Sequence, residues 1–135
     1  MINYVNKIED LNSEQFKGFF IGWPNPPSSD KHLEILRNSY KCFLAMDEYN
    51  VVGFINAISD GTLSAYIPLL EVLPEYQGKG IGRKLLELMM KELRNFYMID
   101  LACDEEMQKF YEKFEMKPIA AMGRRNYDNQ NGENR

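Results

Sequence analysis

"LEVLPEYQGKGIGRKLLELMM", Leu70–Met90, passes from an apolar, strand-like segment through three glycines into an amphipathic segment. Gly78, Gly80 and Gly82 stand at alternate positions just ahead of the amphipathic part. Glycine loses more conformational freedom on folding than any other residue, so this cluster needs a physical reason. A strand that runs through glycines into a helix leaves bare backbone N–H groups at the helix N-terminus, and these attract an anion. Glycine also lets a ligand approach the backbone and permits positive φ. Two phosphate motifs fail. The dinucleotide fingerprint needs G-x-G-x-x-G, whereas these glycines give G-x-G-x-G. The Walker motif needs a lysine and a hydroxyl residue after its last glycine, and here Arg83 and Lys84 follow Gly82.

The amphipathic segment reads as a helix from about Ile81 to Asn95. Ile81, Leu85, Leu88, Met89, Leu93 and Phe96 share one arc, and Arg83, Lys84, Glu87, Lys91 and Arg94 take the opposite side. Upstream, Ser64 to Leu73 is a strand, preceded by a hairpin of Lys41–Met46 and Val51–Ile58 joined by "DEYN". Ile2 to Val5 is a first short strand. "NSEQFKGFFIGW" reads as a helix, with Asn12 as N-cap and Gln15 as its capping-box partner. Its Phe16, Phe19, Phe20 and Trp23 fall at helical spacing. "PNPPSSD" stops it, and Leu33, Leu36 and Tyr40 mark a second helix begun by Ser29 or Asp30. His32, the single histidine, sits at its polar start and is expected on the surface.

Downstream, "MIDLAC" is a strand and "DEEMQKFYEKF" a helix with Asp104 at its N-cap. Pro118 to Tyr127 reads as a last strand, and "DNQNGENR" as a polar tail without order. The order β-α-α-β-β-β-α-β-α-β places the chain in the α/β (α+β) class. It implies a mixed, mostly antiparallel sheet flanked by helices, parallel across the unit from Ser64 to Cys103. One domain over residues 1–127 and a tail over 128–135 are expected.

The chain has 135 residues, 44% of them hydrophobic and 27% charged, which suits one soluble domain. A net charge of -4 argues against a nucleic-acid partner. Lys79, Arg83 and Lys84 form a local basic exception beside the glycines. Two cysteines, Cys42 and Cys103, make neither a disulfide framework nor a metal spacing, so no metal is expected and a reducing, cytoplasmic setting is. The N-terminus lacks a signal-peptide pattern, and no apolar run is long enough to span a bilayer.

A third glycine pattern fits. Gln77, Gly80 and Gly82 match Q/R-x-x-G-x-G/A, preceded by Val72 and Pro74 as V-x-P. This resembles the pyrophosphate-binding segment of the GNAT superfamily of N-acetyltransferases, and the order of elements resembles that family from Ile2 to Tyr127. The resemblance implies acetyl-CoA as co-substrate. Its diphosphate would lie on N–H groups of Gly78, Lys79, Gly80, Ile81, Gly82 and Arg83, near Gln77. Its pantetheine arm would pair with the backbone of Leu70, Glu71 and Val72 like an added strand. "KFYEKFEMKP" resembles the family's F-Y-x-x-x-G-F segment, which implies that Tyr111 protonates the departing thiolate. Met107, Phe110, Tyr111 and Phe114 also form an apolar stripe, so a core role for Tyr111 stays open. Glu115 and Met116 depart from the usual Gly-Phe, and Asp104 stands where the family usually has a cofactor-touching Asn.

No base is legible. Glu71 is charged within an apolar strand, yet alternation puts it on the face opposite Leu70 and Val72. Asp60, Asp100 and an ordered water are alternatives. Cys103 precedes a helix start, but a buried inert thiol is the expected state. The resemblance places the acceptor pocket on Phe20, Trp23 and Pro24, where aromatics could hold an amine by cation–π contact; a core role for the two aromatics is the other reading.

Together these residues imply an N-acetyltransferase that moves the acetyl group of acetyl-CoA to a primary amine by direct attack. The amine would belong to a small molecule or a peptide. The rival class is a non-catalytic acyl-CoA-binding regulator or interaction module on the same fold. The strand Pro118–Tyr127 would lack its usual neighbour, so a homodimer formed in part through this region is expected.

Overall fold

Alternating apolar residues along Lys41–Ser59 build the centre of the molecule. Phe43, Ala45, Val52, Ile55 and Ala57 belong to one buried cluster, and Cys42, Leu44, Met46, Val51 and Phe54 to a second. Successive side chains of a strand point to opposite faces, so each cluster marks one face of a sheet. The computed structural model describes residues 1–133. Its sheet has five strands in the order β1-β2-β3-β4-β5. These are β1 (Ile2–Val5), β2 (Lys41–Asp47), β3 (Asn50–Ser59), β4 (Ser64–Val72) and β5 (Met98–Asp100). The first four pair antiparallel, and β5 runs parallel to β4. The mixed sheet flanked by helices is thus the one its sequence implies.

Two long helices cover the faces. Helix α2 (Ile81–Glu92) buries Ile81, Leu85, Leu86 and Met89 on the first face. It approaches β3 so closely at Gly53 that a Cβ there would lie 3.2 Å from Ile81 and Leu85. Helix α1 (Ser29–Arg37) starts at an N-cap, Ser28, whose side chain accepts the N–H of Lys31, one residue ahead of the expected start. It buries His32, Leu33 and Leu36 on the second face.

Several sequence expectations need correction. The capping box of Asn12 and Gln15 is present, but it opens only a 3-10 turn, Ser13–Phe16. Gly18 (φ +94°), Phe20 (φ +64°) and Gly22 (φ +82°) then hold left-handed backbone that a helix cannot contain. His32 is 1% exposed rather than on the surface. Its start on Ser28–Ser29 turns it inward with Leu33 and Leu36. The last strand does not form within the chain. Residues 117–126 carry no regular structure and pair with none of the five strands; within the segment, the Asn126 carbonyl accepts the N–H of Asn129.

The segment expected to be one helix after Cys103 is a 3-10 turn, Glu105–Met107, followed by a short α3 (Gln108–Glu112). In the polar tail, Tyr127–Asn129 forms a 3-10 turn. The side-chain oxygen of Gln130 accepts the N–H of Asn25 at 2.8 Å, and Glu133 lies 3.4 Å from Lys31. Residues 134 and 135 of that tail lie outside the described residues. No helix among the described residues is long and apolar enough to cross a membrane.

Candidate active site

β4 and β5 are paired only over Ser64–Tyr66 and Met98–Asp100. Beyond Tyr66 the two strands part, and β4 from Ile67 to Val72 keeps β3 on one side with no strand on the other. A cleft of about 410 Å³ opens in this wedge. Leu69, Leu70 and Glu71 line one wall, Cys103, Asp104 and Tyr111 the other, and Ile21 and Trp23 close one end. No strand pairs with the outer edge of β4 at Leu70–Val72, which leaves it open to an extended ligand apart from the Val72 carbonyl, taken by the Gln77 amide.

The glycines form the floor of the adjoining loop. Gly78 and Gly80 have φ of +77° and +84°, and a Cβ built on either meets nothing within 4 Å. Gly80 is the N-cap of α2 and offers no side-chain cap. The first N–H of this helix that is bonded within the chain is that of Lys84, to Gly80. The N–H groups of Ile81, Gly82 and Arg83 thus point from an open cradle at the positive end of a helix dipole. This donor set suits a diphosphate, so the residues present fit acetyl-CoA. Gln77 serves the loop itself: its amide donates to the Val72 carbonyl at 2.9 Å and ties the glycine turn to the end of β4. Lys79 rests 5.5 Å from the centre of the Tyr76 ring, and Tyr76 donates to Asp47. Arg83 leans toward Glu87 at 3.9 Å on the exposed side of α2.

Glu71 is placed where its alternation puts it, opposite Leu70 and Val72. Those two pack with the α2 cluster, while Glu71 stands across from Phe54 on the other face. Its carboxylate accepts the N–H of Phe20 at 2.8 Å and of Ile21 at 3.2 Å. Both oxygens are therefore taken up in holding the loop over the cleft, which removes Glu71 from the list of bases. Asp60 is removed too. It accepts N–H groups of Thr62, Leu63 and Ser64, and these bonds hold its carboxyl below the usual range. Asp100 lines a different cavity.

Among the expected acceptor residues, Trp23 lines the cleft. Phe20 does not: it is 4% exposed and packs in the core, 4.8 Å from Trp23 between ring centres. Pro24 borders a neighbouring cavity with Trp23, Arg125 and Tyr127. Ile21 lines the cleft and was missed, because a helical reading of this stretch turns it away from the apolar stripe. Cys103 is exposed in the cleft wall rather than buried. Asp104 lines the cleft and caps no N–H with its side chain.

Tyr111 is half-buried, with its ring against Phe110 at 5.0 Å. Its hydroxyl has no bonded partner among the described residues. Burial, and secondarily the Cys103 thiol, push its pKa above the usual tyrosine value, so it keeps its proton. It borders both the cleft and the groove behind β5. A protonated hydroxyl on a side chain that lines the cleft is able to deliver a proton to a leaving group bound there.

The Acetyltransferase (GNAT) family matches residues 6–116. The chain belongs to this family. A Deinococcus radiodurans R1 protein assigned to the acetyltransferases has a crystal structure that superposes with a TM-score of 0.92 at 42% identity, over 96% of this chain and 91% of that one. A GNAT family acetyltransferase from Streptococcus pneumoniae TIGR4 gives a TM-score of 0.76 at 27% identity, over 93% and 98% of the two chains. Histone acetyltransferase TAP1 of Glycine max is 31% identical over 118 residues, 76% of this chain and 51% of its own length. The chain spans about half the length of that curated relative. Acetyl transfer with acetyl-CoA is the chemistry of the GNAT acetyltransferases, and the bare β4 edge and the glycine cradle are the parts of this GNAT chain that fit it.

Proposed function

We propose that this protein transfers the acetyl group of acetyl-CoA to a primary amine by direct attack. The observation that carries this reading is the meeting of three features at one wedge: an unpaired β4 edge, a glycine cradle at the start of α2, and the protonated hydroxyl of Tyr111. Acetyl-CoA supplies the acetyl group as an activated thioester. Gly78 to Arg83 would hold its diphosphate, and the backbone of Leu70 to Val72 its extended arm. Trp23 and Ile21, at the end of the cleft, would bound the acceptor. The neutral amine nitrogen would form the new amide bond as the carbon–sulfur bond breaks, Tyr111 would give its proton to the sulfur, and the proton that the nitrogen loses on becoming an amide would restore the Tyr111 hydroxyl.

The cleft supplies an acid in Tyr111 and two carboxylates in its wall. Glu71 is occupied with loop N–H groups, and Asp104 is the other carboxylate in its wall. The acceptor therefore reacts as the neutral amine, shedding its proton to solvent before it attacks. Two free thiols suit a reducing compartment such as the cytoplasm. The test is release of CoA thiol across a panel of polyamines, amino sugars, small amines and peptide N-termini. Amine-dependent release supports the reading. Tight acetyl-CoA binding without release for any member of the panel favours the acyl-CoA-binding regulator instead.

A further inference from the structure

Trp23 lines two cavities at once. One is the cleft between β4 and β5; the other, of about 490 Å³, adjoins it at the indole. Trp23 and Pro24 wall this second cavity from the loop, and Arg125, Asn126, Tyr127 and Gln130 wall it from the end of the chain. Two contacts hold that end against the loop and α1. The side-chain oxygen of Gln130 accepts the N–H of Asn25 at 2.8 Å, and Glu133 stands 3.4 Å from Lys31. Ordering a polar tail costs conformational entropy. What these contacts achieve is to close four polar side chains around one cavity beside the cleft.

The two cavities differ in polarity. The cleft carries the carboxylates of Glu71 and Asp104. No Asp or Glu lines the second cavity, and each polar side chain there is able to donate a hydrogen bond. The oxygens of Gln130 and Asn126 accept the N–H groups of Asn25 and Asp128, which leaves the NH2 of each amide as a donor. Tyr127 adds a hydroxyl. Among the described residues Arg125 makes no ion pair; its guanidinium touches the Arg124 carbonyl at 3.4 Å and keeps further N–H donors for a ligand. One guanidinium, three other donors and no acid make a receptor for an anion, in a chain whose net charge is -4.

We propose that this cavity takes an anionic group of the acceptor, a carboxylate or a phosphate, so that the substrate is an amine that also carries an anion. The proposal rests on the acetyl-transfer reading and adds the chemistry of the acceptor's other end. The amine would lie in the cleft, and the anion would reach past Trp23 to Arg125, whose planar fork suits either anion. Arg125 is thus the specificity-determining residue, and polyamines, which lack an anion, would be poor acceptors.

Two measurements test this on the full chain, with matched pairs of amines: 4-aminobutyrate against butylamine, and glucosamine 6-phosphate against glucosamine. The first is a titration at constant ionic strength, with and without CoA, read by Trp23 emission. In at least one pair the anionic member should bind about tenfold tighter than its partner, the scale of one charge-assisted pair at a partly wet site. Arg125→Gln should abolish that gain and Arg125→Lys retain part of it, with an unchanged far-ultraviolet spectrum, since Arg125 is exposed. Which pair shows the gain says whether the cavity takes a carboxylate or a phosphate. The second is CoA thiol release from acetyl-CoA: Arg125→Gln should raise KM for the anionic member and erase its advantage in kcat/KM. Equal binding within both pairs overturns the proposal. So does a gain that survives Arg125→Gln, or a loss of kcat/KM that is the same for both members. Thiol release from no amine at all would remove the acetyl-transfer reading instead, and the titration would still decide whether the cavity binds an anion.

Discussion

The Glu71 carboxylate accepts the backbone N–H of Phe20 at 2.8 Å, across fifty-one residues of sequence. A second oxygen accepts Ile21 at 3.2 Å. The bonds matter because Phe20 sits at φ +64°, a conformation that costs a bulky residue on the order of 1 kcal/mol or more. Glu71 thereby fixes the end of the cleft where Ile21 and Trp23 stand. Glu71→Ala leaves two N–H groups without their charged acceptor, a loss of about 1.5–3 kcal/mol per bond in a dry setting and less where water reaches them. The loop should loosen while the sheet stays folded. Trp23 is the sole tryptophan, so its fluorescence reads the loop alone. A red-shifted, more readily quenched emission with unchanged backbone circular dichroism is expected; an unaltered Trp23 signal would show that the loop holds without Glu71.

The cradle can be tested at a glycine whose backbone is ordinary. Gly82 lies in the first turn of α2 without positive φ, and a Cβ there would meet only Val72, at 3.7 Å. Gly82→Ala should therefore keep or raise stability, by up to about 1 kcal/mol, since alanine is the better helix former. The same methyl would stand in the first turn of α2, whose N–H groups would hold the diphosphate. Acetyl-CoA affinity should fall at least about tenfold by calorimetry, a loss of about 1.4 kcal/mol. Gly80→Val should weaken binding further, but it adds strain at φ +84°, so Gly82 is the cleaner probe. Undiminished affinity in Gly82→Ala would place the diphosphate elsewhere.

Local chemistry explains which of these features could be read from the chain. The glycine cradle, α2, the central hairpin and the parallel pairing of β4 with β5 follow from spacing and alternation over a few residues; the parting of the two strands beyond Tyr66 does not. Glu71 was legible as a charge on the wrong face, but its partner was not, because nothing local links Glu71 to Phe20. The aromatic stretch misled for a definite reason. Phe16, Phe19, Phe20 and Trp23 keep helical spacing, yet three left-handed residues between them break any helix, and one of those is not a glycine. Pro118 to Tyr127 reads as a strand from its composition, yet the structure leaves 117–126 without regular structure although the outer edge of β5 is unpaired. His32 was lost to one residue of helix register.

Tyr111 offers a test of the chemistry itself. Its hydroxyl is unbonded among the described residues, and burial raises its pKa. Tyr111→Phe keeps the ring against Phe110 and removes only the proton donor. With an acceptor from the amine panel, turnover should drop about a hundredfold while acetyl-CoA affinity stays put. Because the raised pKa keeps the hydroxyl protonated, activity should climb with pH as the acceptor amine loses its proton, with no loss from Tyr111 below the usual tyrosine range. Near-normal turnover in Tyr111→Phe would reduce the residue to packing.

His32 is ringed by Phe54 at 4.3 Å, Phe20 at 4.9 Å, Phe16 at 5.0 Å and Phe19 at 5.2 Å. Neither ring nitrogen has a bonded partner among the described residues. Burial lowers its pKa from 6.5 to about 4. A base whose folded pKa lies below its unfolded value takes up its proton more readily on unfolding. Its contribution is thus fully present above pH 6.5 and is lost as the pH falls toward 4, by about 3 kcal/mol in all. Urea midpoints should decline across that window. His32→Phe removes the proton site and both unpartnered nitrogens while keeping an aromatic ring in the cage. It should flatten the pH dependence and raise stability at neutral pH by about 1 kcal/mol, the cost of a buried polar group left unbonded. Because the same rings carry Phe20, and through it the loop that Glu71 grips, Trp23 fluorescence in the wild type should change over the same interval. A midpoint independent of pH between 6.5 and 4 would mean that His32 has partners in solution that the cage does not show.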